Sequence, residues 1–311
     1  MNFSDIIEDE FNSLEQSCDI ERYKLTPRAF SMEGVWSFFD FILFILVNKG
    51  KSLTLEIEDF VENYFDDDED KLITKEAVSK QRQKFSYDIF RDFNTRFVDK
   101  FYKSEEYETS FKDKIVIIVD GSKSEIPNTP ESKEWANIEE NSLTNKKSAR
   151  VLFSTIIDAK YGIILDSILG KSDSNEREFL KQHINNIKGL LDLDNIVLLL
   201  DAGYYSLDLK LFLESMNINY VFRLAPNIYE KEISNMNGHD EILKISNTSS
   251  RRRSIKDPDL LEKAEKLLFI EGRVIKVPII NEKDEEDELI LLTNLSKKHD
   301  FYEIANLYKD R

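Results

Sequence analysis

The spacing of apolar positions divides the chain into a helical part and a part rich in short strands. From Thr26 to about Tyr102 the pattern is helical, and "TPRAF" (26–30) offers a cap followed by proline in the first turn. The apolar run 35–50 contains Asp40 and is shorter than the ~20 residues that a bilayer span needs, so it predicts a buried helix. We therefore expect a helical amino-terminal domain over 1–110 and no membrane association.

The period changes at Lys114, where β-branched apolar runs begin. Five such runs predict buried strands, and the second and third are joined by a turn at "AKYG": 114–122, 149–158, 163–171, 195–200 and 218–225. Helices are predicted at 172–189, after the third strand, and at 206–217, where Ser206 offers a cap.

The resulting order is βββαβαβ, which predicts an α/β fold with a mixed sheet, because the later strand-helix-strand units require parallel crossovers. An RNase H-like core has this order. We predict that core over 111–226, an inserted β-rich domain over 227–292, and a return to a helical period over 293–311.

Composition sets limits on function. The net charge of −17 argues against non-specific nucleic-acid binding, and much of the acid lies in runs at 66–70 and 282–288 that are typical of solvated loops. Basic residues are nevertheless clustered locally. The single cysteine excludes an internal disulfide, and the opening "MNFSDIIEDE" has no features of a secretion signal, so we expect a cytoplasmic protein.

Two aspartates carry the candidate chemistry. Asp120 ends the first predicted strand and Asp201 the fourth, and in an RNase H-like sheet these two strand ends lie side by side. Converging carboxylates repel each other unless a cation lies between them, and hard oxygen ligands suit Mg²⁺ or Mn²⁺. The alternative is that each aspartate only caps a turn or the next helix. The pair is therefore a candidate metal site.

Several segments also resemble the DDE transposases of bacterial insertion sequences, specifically insertion-sequence family four. The resemblance covers almost the whole chain and rests on these segments: "AFSMEGVWSF", "EAVSKQRQKFSYDIFRDF", "VDGSKSEIPNT", "SARVLFSTIIDAKYGIILDSIL", "SNEREFL", "LLLDAGYYS" and "TNLSKKHDFYEIANLYKDR". It implies that Asp120 and Asp201 are the first two catalytic carboxylates. The family's third, a Glu, follows a Tyr-x-x-Arg start that Tyr308 and Arg311 match, and that Glu would lie beyond Arg311, so we expect a truncated chain.

The same resemblance implies a nucleoid-associated enzyme that binds double-stranded DNA at terminal inverted repeats and at a target, and that cuts and joins DNA with Mg²⁺, with a homodimer possible. For the chain as given we expect strand transfer to be abolished or nearly so. One alternative is a non-catalytic DNA-binding or subunit-poisoning fragment. Another is an RNase H-like nuclease unrelated to transposition.

Candidate DNA contacts come from the basic clusters. The alternatives are a plain amphipathic helix at 73–90, a solvated turn at 145–150 and a charged loop at 251–253. A single helix over 73–90, with the residue that follows it, would present three cations to DNA: Lys80, Lys84 and Arg91. A turn before the second strand and a segment of the insertion supply the other candidates: Lys146, Lys147, Arg150, Arg251, Arg252 and Arg253.

Overall fold

A computed structural model describes residues 3–16, 18–26, 28–30, 34–104, 107–140, 146–280, 286–309 and 311. These residues form two compact units, Met1–Tyr107 and Glu108–Arg311. No helix among them is long and apolar enough to span a membrane.

The amino-terminal unit is helical, as predicted. Its α-helices, in chain order, are α1 (Phe3–Gln16), α2 (Phe38–Leu46), α3 (Leu53–Tyr64), α4 (Lys75–Arg82) and α5 (Asp88–Tyr102), and 3₁₀ turns lie at Cys18–Tyr23 and Glu69–Lys71. An aromatic core holds them together, in which the Trp36 ring lies 4.9 Å from that of Phe60 and its indole N–H donates to the Lys71 carbonyl at 2.8 Å. Aromatic burial of this kind dominates the stability of small helical units.

The start of the first predicted helix differs from the prediction. No described residue of 26–30 lies in an α-helix, since Ala29 N–H closes a turn onto the Thr26 carbonyl, and Pro27 lies outside the described residues. Helix α2 instead begins after Ser37, whose side chain forms a capping box with Asp40. The stronger local cap therefore sets the start of the helix.

The single helix predicted over 73–90 is wrong, because the structure has two helices there, α4 and α5. Between them the backbone pairs with another segment: Lys84 accepts from the Leu25 N–H at 2.9 Å, and the Ser86 N–H donates to Tyr23 at 2.7 Å. These tertiary hydrogen bonds interrupt a sequence with helical periodicity.

The carboxy-terminal unit is an α/β structure built on one sheet. Its strands are β1 (Ile115–Ile126), β2 (Asn137–Glu140), β3 (Lys147–Asp158), β4 (Ile164–Lys171), β5 (Ile196–Leu200), β6 (Asn219–Arg223), β7 (Asp240–Ser246), β8 (Phe269–Ile280) and β9 (Glu286–Thr293). Its helices are α6 (Pro130–Trp135), α7 (Glu176–Ile187), α8 (Leu207–Ser215), α9 (Glu230–Ser234), α10 (Ser249–Arg252), α11 (Pro258–Glu265) and α12 (Phe301–Lys309). A 3₁₀ turn precedes β5 at Leu193–Asn195.

The sheet contains the predicted RNase H-like core. Strands β4, β3 and β1 pair antiparallel, and β1, β5 and β6 pair parallel, which gives the order β4-β3-β1-β5-β6. The predicted turn at "AKYG" joins β3 to β4, with Gly162 at φ +67°, a conformation that favours glycine. The predicted cap Ser206 accepts from the Leu209 N–H at 3.1 Å at the start of α8.

The stretch 227–292 contributes three strands to this same sheet. Strand β9 pairs antiparallel with β6, β8 pairs with β9, and β7 pairs with β8, so the sheet continues as β6-β9-β8-β7. The acidic run 282–288 falls largely outside the described residues.

The two faces of the sheet are covered by different helices. On one face α12 packs its Ile304 and Tyr308 against apolar residues of β1, β5, β6, β8 and β9. On the other face α7 lies so close that a Cβ on Gly170 would stand 2.4 Å from the Phe179 ring. Both helices thus lie beside the core strands and bring their ends toward the predicted site.

Candidate functional site

The candidate site lies at the carboxyl ends of β5 and β6, beside the middle of β1. The prediction that Asp120 ends its strand is wrong, because pairing with β3 continues β1 to Ile126. Ile118 pairs with Leu199, so the residue two positions further along each chain is Asp120 on β1 and Asp201 just after β5. Neighbouring strands lie ~4.8 Å apart, and this register therefore makes the two aspartates neighbours. The sequence had predicted this juxtaposition.

Both aspartates belong to the same face of the sheet. Side chains alternate between faces along a strand, and Val116 and Leu199 both belong to the apolar cluster that α12 covers. Asp120 lies four residues after Val116, and Asp201 lies two residues after Leu199. Each aspartate therefore falls on the same face of the sheet as that apolar residue. They are therefore aimed at the same space beside α12, with Asp120 exposed and Asp201 half-buried.

Asp201 also shapes the turn that follows it. Its Oδ1 accepts from the Gly203 N–H at 2.8 Å, which is the turn-capping role that the sequence had left open. On α7, Arg177 donates from Nε and from Nη2 to the Gly203 carbonyl, at 3.1 Å and 2.8 Å. A cation on α7 thus fixes the residue that orients the Asp201 carboxylate.

The amino-terminal end of α7 contributes a third carboxylate close to β1. Asn175 caps the helix by accepting from the Arg177 N–H at 3.0 Å. Glu176, the next residue, lies over Gly121, where a Cβ would stand 2.8 Å from its Oε2. Glycine at 121 therefore gives the Glu176 carboxylate room beside the Asp120 strand. The segment "SNEREFL" is part of the family resemblance, but the sequence predicted no role for Glu176.

Tyr204 lies among these acidic groups. It is 2% exposed, and its hydroxyl has no hydrogen-bond partner among the described residues. Burial raises the pKa of Tyr204, and the negative charges of Glu176, Asp120 and Asp201 raise it further. The phenol is therefore neutral and is a potential donor toward the site.

Helix α12 and the residue Arg311 connect the middle of β1 with the end of β5. The Tyr308 hydroxyl donates to the Leu200 carbonyl at 3.4 Å, and Arg311 donates to the Val119 carbonyl at 3.2 Å. Each carbonyl belongs to the residue that immediately precedes one of the aspartates. Burial raises the pKa of Tyr308, whereas the charge of Arg311 lowers it.

Sequence reasoning missed Arg223 at the end of β6. Leu200 pairs with Phe222, so the next position places Arg223 beside Asp201 in the sheet. Among the described residues, the exposed Arg223 guanidinium makes no hydrogen bond or ion pair with any side chain or carbonyl. The signal was present: "INYVFRLA" contains an apolar run followed by a charge, as do the two segments that carry the aspartates.

Asp120 and Asp201 supply the hard oxygen atoms that Mg²⁺ or Mn²⁺ prefers. Within the described part of the chain, however, no group of three His, Cys, Asp or Glu side chains is arranged to hold an ion. The described residues thus supply two carboxylate ligands, which form part of a metal site.

Most of the predicted DNA contacts in the carboxy-terminal unit have acidic or carbonyl partners. Their shortest such contacts are Arg150 to Glu125 at 3.0 Å, Lys147 to Glu140 at 3.9 Å, Arg251 to Glu232 at 2.8 Å and Arg252 to the Asn247 carbonyl at 3.0 Å. Lys146 and Arg253 are exposed. Local pairing reduces the positive potential that these clusters present.

In the amino-terminal unit the three candidates lie on different elements. Lys80 is on α4 and exposed, Lys84 lies between α4 and α5 and is half-buried, and Arg91 on α5 forms an ion pair with Asp88 at 3.4 Å.

Comparison with known proteins gives a family. Residues 111–311 match the model of a family described as "Transposase DDE domain". No curated protein matches the chain.

Two solved structures show a distant likeness. One is a piggyBac transposase synaptic complex with hairpin DNA, at 12% identity and a TM-score of 0.43, covering 97% of this chain and 66% of that one. The other is the Mos1 mariner paired end complex with Mn, at 11% identity and a TM-score of 0.24, covering 68% of this chain and 65% of that one. The chain therefore spans less than two thirds of the length of either.

Proposed function

The chain belongs to the family of transposase DDE domains, and on that premise we propose that it acts in DNA transposition. In this proposal it binds the terminal inverted repeats of an insertion sequence and the target DNA, and Asp120 and Asp201 carry the cutting and joining chemistry. The observation that carries the proposal is the register of β1 and β5, which makes these two carboxylates neighbours on one face of the sheet.

Asp120 and Asp201 would hold Mg²⁺ or Mn²⁺. A divalent ion bound by carboxylates in such enzymes activates the attacking oxygen and stabilises the leaving oxygen of a phosphodiester. The chain's own contribution is to set the two carboxylates in place. Arg177 fixes the turn after Asp201, and Arg311 binds the backbone before Asp120.

We further propose that the chain belongs to the insertion-sequence family-four branch. Tyr308 and Arg311 match the start of that branch's helical pattern, and their contacts with the Leu200 and Val119 carbonyls support a role at the site. The remaining basic candidates stay proposals for contacts with phosphates along the DNA, as does a homodimer.

A second candidate is a DNA-binding transposase chain without catalysis, which could poison active subunits. The observation favouring it is that the described residues offer no group of three carboxylate or imidazole ligands. We accordingly propose that metal-dependent strand transfer by residues 1–311 alone is abolished or nearly so.

Binding to the DNA that flanks the gene tests both candidates. The purified chain would be titrated with duplexes taken from each flank of its own gene, and with random duplex of equal length, at several salt concentrations. We expect tighter binding to a flanking segment present as an inverted repeat on both sides. Equal affinity for flanking and random duplex would contradict both candidates, and cleavage of an RNA–DNA hybrid would favour a simple RNase H-like nuclease.

A further inference from the structure

We propose that Arg223 binds the phosphate on which Asp120 and Asp201 act, contacting a non-bridging oxygen of the DNA phosphodiester. This inference rests on the proposed function, and it adds a substrate contact at the same site.

Placement is the first argument. Strands β5 and β6 pair in parallel through Leu200 and Phe222, and the next step of that register sets Arg223 beside Asp201. Since Val221 belongs to the cluster that α12 covers, Arg223, two residues later, is on the same face. The middle of β1 and the ends of β5 and β6 thus carry a row of carboxylate, carboxylate and guanidinium.

The electrostatic environment of Tyr308 agrees with this placement of Arg223 and Asp201. Both charges act on the hydroxyl of Tyr308: Arg223 lowers the pKa of that phenol, and Asp201 raises it, while burial dominates the overall rise. The guanidinium and the carboxylate are therefore both close to the end of α12.

Among the residues that the structure describes, no carboxylate neutralises Arg223. Within the described ranges it forms no ion pair, and even Asp201 beside it in the sheet is not bound to it. Arg150 and Arg251, by contrast, have carboxylate partners at 3.0 Å and 2.8 Å, and Arg311 is committed to a carbonyl. An unpaired guanidinium beside two carboxylates is available to an anionic ligand.

The backbone beneath Arg223 is held firmly. Arg223 pairs with Leu291 of β9, and the neighbouring Leu224 N–H donates to the Ile290 carbonyl at 2.8 Å. Phe222 is 0% and Leu224 3% exposed, so both neighbours are anchored in the core. The guanidinium therefore starts from a fixed Cα, which reduces the entropy lost on binding.

The chemistry of the ligand follows from the row of charges. Two carboxylates alone repel a phosphodiester, and an arginine at the end of the row offsets that repulsion. A planar guanidinium also donates two parallel hydrogen bonds to phosphate oxygens, which a lysine ammonium does not. A single backbone phosphate, read without regard to base sequence, is the ligand class that this geometry selects.

The test measures the affinity of the full chain for flanking-end duplex as a function of salt, for wild type, Arg223→Gln, Arg223→Lys and Lys266→Gln. Lys266 is a matched control, because it is exposed in the same unit and pairs with Glu262 at 2.6 Å. We expect Arg223→Gln to weaken binding roughly tenfold and to reduce the slope of log affinity against log salt by about 0.9. Arg223→Lys should keep the slope but bind more weakly, and Lys266→Gln should match wild type.

A neutral methylphosphonate at the single phosphate of the transposon-end junction locates the contact. Wild type should lose affinity on this substitution, whereas Arg223→Gln should be indifferent to it, because the two changes remove the same interaction. The Arg223 contact is refuted, while the proposed function stands, if wild type prefers the ends and Arg223→Gln behaves like wild type in two respects. These are the slope of log affinity against log salt and the loss of affinity caused by the methylphosphonate. If wild type shows no preference for the ends, the proposed function fails and the contact with it.

Discussion

Replacing Arg177 by alanine should loosen the turn that orients Asp201. The change removes both hydrogen bonds to the Gly203 carbonyl, at 3.1 Å and 2.8 Å. Hydrogen bonds from charged groups contribute ~1.5–3 kcal/mol each when buried. Arg177 is half-buried and the released carbonyl can bind water, so we expect about 1 kcal/mol for each bond.

A loss of about 2 kcal/mol lowers the melting temperature of a unit of this size by about 5 °C. The turn also sets the Asp201 carboxylate, and removing an outer partner of a metal ligand typically weakens metal binding ~10-fold or more. We therefore expect Arg177→Ala to melt earlier and to bind Mn²⁺ roughly tenfold more weakly than wild type.

The matched control is Lys114→Ala. Lys114 likewise donates to a carbonyl, that of Asp194, at 2.9 Å, but at the start of β1, away from the aspartates. The Lys114→Ala variant should have a lower melting temperature and an unchanged affinity for Mn²⁺. Mn²⁺ binding would be measured by electron paramagnetic resonance. Arg177→Lys should restore part of the affinity. Unchanged Mn²⁺ binding in Arg177→Ala, beside a lowered melting temperature, would refute the positioning role.

Three further outcomes follow from the packing and charge of the carboxy-terminal unit. Gly170→Ala should destabilise the fold by about 1–3 kcal/mol in urea unfolding, because the new Cβ would stand 2.4 Å from the Phe179 ring; a wild-type midpoint would contradict this packing. Tyr308→Phe should lose about 0.5–1.5 kcal/mol with its hydrogen bond to Leu200, and an unchanged urea midpoint would show that bond to be irrelevant. Burial lowers the pKa of His299 in the folded state below 6.5, so the unfolded chain binds a proton more readily as the pH falls. The free energy of unfolding should therefore decrease from pH 7.5 to 5.5, and it should decrease less steeply in His299→Gln.

The sequence predicted the part of the site that lies on buried strands. Apolar runs such as those before Asp120 and Asp201 predict central strands, so the order of these strands was readable. The end of β1 was not readable, because its polar half, from Asp120 to Ile126, is a strand through pairing with β3. The two aspartates became neighbours as soon as the order of strands was inferred.

Features that depend on pairing between distant segments were not readable. Strand β7 is polar and alternates weakly, and it is a strand because seven of its residues pair with β8. The carboxylate partner of Arg150 lies on β1, and the carbonyl that Arg177 binds lies after β5. Sequence distance conceals such contacts, since tertiary context decides them.

Arg223 could have been found by applying one rule consistently. Asp120 and Asp201 were singled out as charges at the ends of apolar strands, and Arg223 ends the next parallel strand in the same way. A cation there was overlooked because a search for metal ligands considers only anions and imidazoles.

Binding of Mn²⁺ to wild type, Asp120→Asn, Asp201→Asn and Asp259→Asn tests the central claim most directly. Asp259 is an exposed carboxylate on α11 and controls for the acidic surface. If Asp120 and Asp201 form one site, either asparagine substitution abolishes the same saturable Mn²⁺ signal, and Asp259→Asn retains it. Retention of that signal in Asp120→Asn or in Asp201→Asn would contradict a shared metal site.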